Sequence, residues 1–443
     1  MSRPGDPRAK VFAFLGLCLL LHMVTSGLVM TTADYPTSND EYEHLSYVFR
    51  VDREHFIFPN HVEQHVVVPE TPGVASPDRA RTTHPSFFYW LMTPFADTEQ
   101  SAAENATRFR IINYLLSVCV VGLLLFASTQ LLKSQIAQVA FGLIVVAYPY
   151  LTIVSGTFNN DVMALLGGAL ALLGAIRFTK GMIGTSPGVL MGAGLAIAGL
   201  SKLPAAITVG FFILFAHILM RDFWIRRPAG WRLHIFTVLL GGLIGATPYL
   251  ATIILYGYLF PTGDPFFLQF GLMYETVDVL SYLFHYVTAI GVTWGMYGPS
   301  IPSTLAELAA LAFATLALFG TVRSTRMQNL EPVQVIGLAG LLAFFMTIVV
   351  NIGFGYYSHL VTGVLAAMGG AKYFMPIWPM VALAAVYGAT NMASRRANQI
   401  APLILVGLIL TAHLHPFVAG VFTPQSAPAF SSYLPDLKLR KTP

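Results

Sequence analysis

At 443 residues the chain is long enough for about three soluble domains of ~150 residues each. Yet 55% of its positions are apolar, only 10% are charged, and the mean hydropathy is +0.66. Soluble domains carry roughly 25% charged residues, so the composition excludes a cytosolic multi-domain enzyme, a disordered chain and a disulfide-built secreted module.

What remains is an all-α polytopic membrane protein forming one transmembrane domain over 1–443. Cys18 and Cys119 both sit in apolar runs and offer no disulfide framework. A membrane helix needs about 20 apolar residues. Such runs predict about eleven spans near 11–31, 110–132, 136–155, 162–178, 187–200, 203–220, 234–257, 304–322, 333–354, 373–391 and 400–421. The first follows a basic segment without a small-residue cleavage site and reads as an uncleaved signal anchor. The segments 187–200 and 203–220 are short and joined by Ser201-Lys202, which predicts a re-entrant pair or a tight hairpin. The apolar stretch 281–298, with His285 and Trp294-Gly-Met-Tyr-Gly298, is read as an interfacial helix.

With a cytoplasmic N-terminus, the inner segments collect fourteen of the 25 basic residues, among them Arg3, Arg8, Lys10, Lys133, Arg177, Lys180, Arg226, Arg227 and Arg232. Only Asp6, Asp222 and Glu331 oppose them, so the positive-inside rule sets the orientation. The remaining polarity then lies outside. Residues 32–109 form a first extracytoplasmic loop with interfacial helices, twelve acidic residues and five histidines; 258–303 form a second large loop, and 422–443 a short outer tail. Loops as long as the first usually carry function.

The first loop opens on Asp34, Asp40, Glu41, Glu43 and His44, four carboxylates and an imidazole within eleven residues. A helix beginning near Ser38 or Asn39 would place Asp40 in its first turn and Glu41 and His44 three apart on one face. Crowded carboxylates raise one another's pKa, which suits a general base working near neutrality. The plainer alternative is an acidic helix start that complements the macrodipole. Later come His84-Pro85-Ser86 and the aromatic run Phe87-Phe88-Tyr89-Trp90. They suit an interfacial helix that either aims His84 at the acidic cluster or anchors the surface with an incidental histidine. His61, Glu63 and His65 alternate as a strand would and could hold a divalent metal on one face. Asn105-Ala106-Thr107 matches a glycosylation acceptor.

Further along, Asn160 or Asp161 is a good N-cap for the fourth span. Ser201-Lys202-Leu203-Pro204 reads as an N-cap with a first-turn proline and an adjacent lysine. A cation in the apolar zone costs about 2.5 to 3.5 kcal/mol at the bilayer centre; next to a helix N-terminus it suits a lipid phosphate, the alternative being snorkelling to the interface. Lys372-Tyr373, after Gly369-Gly370, presents a second cation at the outer start of a late span. Glu307, His413 and His415 are intramembrane polar groups read as packing or interface residues. No Walker loop, dinucleotide fingerprint, zinc-protease helix or nucleophile elbow is present, which argues against nucleotide binding and serine hydrolysis.

The order of these motifs resembles the GT-C superfamily of integral-membrane glycosyltransferases, above all the protein O-mannosyltransferase and lipid A aminoarabinose transferase type. The likeness rests on Asp40-Glu41 after the first span, His84-Pro85 in the same loop, Asn160-Asp161 opening a span, Lys202 in a helix turn, the Trp294 stretch, and Lys372-Tyr373. It implies inverting transfer of a sugar from a polyprenyl-phosphate donor to a hydroxyl of a lipid, glycan or protein acceptor, on the outer face of a bacterial plasma membrane. Asp40 would be the base, Glu41 and His84 would orient the base or the acceptor, and Lys202 and Lys372, with Tyr373 beside them, would hold the lipid phosphate. His44, Asn160, Asp161 and Trp294 would line the substrate site. The resemblance fixes no cofactor and leaves a divalent metal open, and no nucleic-acid partner is expected. Two rivals stand beside it. An oligosaccharide polymerase or ligase using lipid-diphosphate donors would be expected to bring arginines to a later outer loop, and 258–303 has no Lys or Arg. A transporter would show midplane charges and paired repeats.

Overall fold

The computed structural model describes residues 7–35, 41–54, 84–182, 184–256, 277–283, 311–319, 322, 330–362, 373–391, 396 and 398–408. Among these the protein is helical, with no strand. The helices are α1 (Pro7–Thr32), α2 (Glu41–Glu54), α3 (Phe87–Met92), α4 (Ala102–Leu131), α5 (Gln135–Val146), α6 (Pro149–Gly156), α7 (Asp161–Thr179) and α8 (Thr185–Ser201). They continue as α9 (Leu203–Leu219), α10 (Arg221–Arg226), α11 (Trp231–Tyr256), α12 (Pro332–Thr362), α13 (Trp378–Thr390) and α14 (Asn398–Leu408).

Each of the eleven apolar runs overlaps a described helical stretch. Five described helices, within α1, α4, α7, α11 and α12, are long and apolar enough to cross a membrane. Outward faces of α1, α4, α11 and α12 carry the exposed side chains of Leu17, Leu115, Leu239 and Val349, as lipid contact requires, and the chain is an integral membrane protein. The run 136–155 is not one straight span: α5 and α6 meet at a 57° bend. Pro149 explains the break, since it opens α6 without an N–H to give and its ring clashes with the carbonyl four residues back. Tyr148 at the bend stacks on Trp378 at 4.9 Å, which fixes the elbow against α13.

The α8–α9 pair is a tight hairpin about a single extended residue, Lys202 (φ −167°, ψ 148°). Each arm has 17 residues, about 26 Å at 1.5 Å per residue, which is most of a hydrocarbon layer of ~30 Å. The pair is therefore too deep for a shallow re-entrant loop. α8 is sandwiched between α7 and α11, and glycines permit the approach. A Cβ on Gly167 would lie 2.7 Å from the Gly194 carbonyl oxygen, and one on Gly199 would lie 2.6 Å from that of Gly245. Small residues of this kind let membrane helices bring backbones together.

The 30 residues of α4 are capped by Ser101, whose hydroxyl accepts the Glu104 N–H while the Glu104 carboxylate accepts the Ser101 N–H at 2.9 Å, a reciprocal capping box. Two apolar cores result. The larger fills the bundle from α1 to α14. The smaller gathers Leu45, Tyr47, Phe88, Tyr89, Phe109 and Phe158 and seats α2 and α3 over the end of the bundle where α7 begins.

Candidate functional site

The end of the bundle bearing α2 and α3 is where the sequence-predicted polar residues collect. Glu41 is the first residue of α2 and is fully buried. Arg110, on the first turns of α4, grips it with two bonds: Nε donates to Oε1 at 2.7 Å and Nη2 donates to Oε2 at 2.6 Å. Oε1 also accepts the Phe158 backbone N–H at 2.9 Å. Arg110 reaches further, donating from Nη1 to the Ala33 carbonyl at 2.8 Å, just past the end of α1. A buried bidentate pair of this kind is geometrically specific. It ties α1, α2, α4 and the α6–α7 turn to one point and makes Glu41 an anchor of the site's roof.

One helical turn on, His44 is buried, and its Nδ1 lies 2.6 Å from the Tyr89 hydroxyl on α3. The His84 ring lies parallel to that of His44, centroids 5.9 Å apart, while the Tyr47 hydroxyl donates to the His84 carbonyl at 2.9 Å. The His-Pro motif is thus carried back onto the acidic helix start. α3 does both things expected of its aromatic run: Phe88 and Tyr89 are buried in the smaller core and Trp90 is exposed.

Beneath this roof, the turn 157–161 meets the α8–α9 elbow. The Asn160 amide donates to the Ser201 carbonyl and the Ser201 hydroxyl donates to the Asn160 carbonyl, both at 2.8 Å. Asp161 forms an ion pair with Lys202 and accepts the Tyr150 hydroxyl at 2.9 Å. The Lys202 ammonium also lies 5.7 Å from the centre of the Tyr373 ring. Lys202 is 2% exposed, so its charge is held inside by a carboxylate and a π-face.

Two cap expectations change. Asn160 stands at the N-cap of α7, but its side chain caps nothing there because it is spent on Ser201; Asn159 Oδ1 accepts the Asp161 N–H instead, at 2.9 Å. At α9 the N-cap position belongs to Lys202, not Ser201, since Ser201 still ends α8. The Asn105 triplet is no open acceptor: Asn105 is buried in α4 and its amide donates to the Asp97 carbonyl at 2.8 Å. Asp40, Lys372, Trp294, Glu307, His413, His415 and the His61-Glu63-His65 group lie outside the described residues. Among the described residues no group of three or more His, Cys, Asp or Glu could hold a metal ion.

Sequence reasoning missed Arg110, Tyr89, Tyr150 and Asn113. Asn113 is buried in α4, and its amide donates to the Val154 and Thr157 carbonyls, both at 2.7 Å, closing the end of α6. Arg110 and Asn113, polar groups where α4 turns apolar, were the available signals, because intramembrane polar groups rarely persist without partners.

No family profile and no curated protein matches the chain. Among solved structures it is similar to ArnT from Cupriavidus metallidurans in the apo state, with 15% identity and a TM-score of 0.49 over 88% of this chain and 62% of that one. It is also similar to ArnT from Cupriavidus metallidurans bound to undecaprenyl phosphate, with 14% identity and a TM-score of 0.47 over 97% of this chain and 75% of that one. The chain therefore spans under two thirds of the first of these proteins.

Proposed function

We propose that the protein is a membrane glycosyltransferase that moves a sugar from a polyprenyl-phosphate carrier to an acceptor hydroxyl at the outer face of a plasma membrane. The observation that carries this reading is the junction at 157–161. Through that short turn, a roof of Glu41, His44, His84 and Tyr89 is bonded to a floor of Asp161, Lys202 and Tyr373 at one end of the bundle. Outside a membrane no nucleotide supply exists, so an activated lipid is the natural donor, and its phosphate needs a cation near the surface.

Each residue takes a definite part in this reading. Asp40, the residue before the anchored Glu41, removes the proton from the acceptor hydroxyl. The acceptor oxygen then attacks the anomeric carbon from the face opposite the phosphate, the bond to the phosphate oxygen breaks with its electron pair, and the configuration inverts. Glu41 positions the start of α2 through Arg110 and does not itself take the proton. His44 and His84 line the acceptor side. Lys202 has three N–H donors, so an arriving phosphate can share it with Asp161, and Lys372 adds a second charge. Each such charge-assisted bond is worth about 1.5 to 3 kcal/mol.

The test is donor binding by the purified protein. A polyprenyl phosphate should raise the thermal midpoint and the matching polyprenol should not. The double variant Lys202→Met/Asp161→Leu, which removes the pair without stranding either charge, should lose the distinction. Equal stabilisation by phosphate and alcohol would count against a phosphate site.

A further inference from the structure

The end of the bundle opposite Glu41 holds a second feature that the transfer reading does not use. Where α4 ends and α5 and α12 begin, a pocket of about 730 Å³ is lined by Lys133, Lys180, Glu331, Gln130, Gln135 and Gln138. Lys133 pairs with Glu331 at 3.3 Å, whereas among the described residues Lys180 is paired with no carboxylate. The lining therefore carries one positive charge in excess. From it an apolar groove of about 330 Å³ runs along α1, α5 and α14, past Phe14, Ile136, Val139, Leu143 and Leu403. The two cavities share Val11 and Gln135, so the polar chamber and the apolar groove lie side by side.

A charged chamber beside a hydrocarbon groove on a bundle flank matches a molecule with an anionic head and a hydrocarbon tail. We propose that this site holds one anionic glycerophospholipid, phosphate against Lys180 and Lys133, with one acyl chain in the α1–α5–α14 groove. A soluble anion would use the chamber and leave the groove unexplained. Basic pockets between membrane helices are known to take such headgroups. The site lies a bundle's length from the Lys202 floor, and it stands or falls apart from the transfer reading.

The experiment is native mass spectrometry of the full chain released from bilayers with equal phosphatidylglycerol and phosphatidylcholine. The unaltered protein should retain phosphatidylglycerol about fivefold over phosphatidylcholine, the scale of a partly solvated ion pair. Lys133→Gln/Lys180→Gln, both exposed positions, should retain the two equally with an unchanged thermal midpoint. Val139→Trp, which fills the groove, should lose retained lipid of both kinds. Absence of a preference in the unaltered protein, or its persistence in the lysine variant, would overturn the proposal. So would displacement of the lipid by millimolar inorganic phosphate in the unaltered protein together with undiminished anion binding in Val139→Trp, which would assign the chamber to a free anion.

Discussion

Arg110 closes on Glu41 from 69 residues away with bonds of 2.7 and 2.6 Å, and both side chains are buried at the point where α1, α2, α4 and the α6–α7 turn converge. Breaking a buried pair strands a charge and costs about 3 to 5 kcal/mol, whereas replacing both partners by apolar groups is often near neutral. Arg110→Met and Glu41→Leu should each lower the unfolding midpoint sharply, and the double variant should recover most of the loss. Additive losses in the double variant would show that the two residues do not act as a pair.

Asp161 and Lys202 should behave the same way at the floor. Asp161→Asn takes the carboxylate from the buried Lys202 ammonium and should destabilise by about 3 to 5 kcal/mol. Tyr150→Phe removes the 2.9 Å hydroxyl bond to Asp161 and leaves the ion pair in place, so it should cost about 1 kcal/mol. Chemical denaturation in detergent ranks the two; a Tyr150→Phe loss equal to that of Asp161→Asn would contradict the ion pair's priority.

Tyr89→Phe tests the roof. It deletes the hydroxyl 2.6 Å from His44 Nδ1 and leaves a buried imidazole nitrogen short of a partner, at a cost of about 1 to 3 kcal/mol. Because His44 and His84 stack, the loosened ring should also weaken acceptor use, read as a raised KM for acceptor with donor binding unchanged. An unaltered KM would remove His44 from the acceptor side.

The close helix contacts make a fourth prediction. Gly199→Ala puts a methyl 2.6 Å from the Gly245 carbonyl oxygen, a backbone atom that cannot swing aside, and should destabilise by about 1 to 3 kcal/mol. Gly122→Ala, with nothing within 4 Å of the new carbon, should be neutral or stabilising by about 0.5 to 1 kcal/mol. Equal midpoints for the two variants would refute the contact.

The five long apolar helices were legible because hydropathy over a full helix is a strong signal, and Asn160, Asp161 and Lys202 stood out as polar groups in apolar surroundings. Their pairing was not legible. Asn160 bonds to Ser201 across 41 residues, a contact set by how α7 and the α8–α9 elbow pack rather than by local sequence. The α5–α6 elbow was written in Pro149 but hidden by a hydropathy window that averages over one proline. Glu41 reads as orienting the base or the acceptor; its burial against Arg110 and the Phe158 N–H is a tertiary contact that the local sequence does not show. The cap at α7 passed to Asn159 because tertiary bonding to Ser201 outbid the local role of Asn160.

The most direct measurement of the central claim is release of free polyprenyl phosphate from a polyprenyl-phosphate sugar in the presence of acceptor, comparing the unaltered protein with Asp40→Asn. The account predicts unchanged folding and donor affinity, with turnover lowered roughly 10²- to 10⁴-fold, the range a positioned base supplies. Turnover by Asp40→Asn at the rate of the unaltered protein would contradict it.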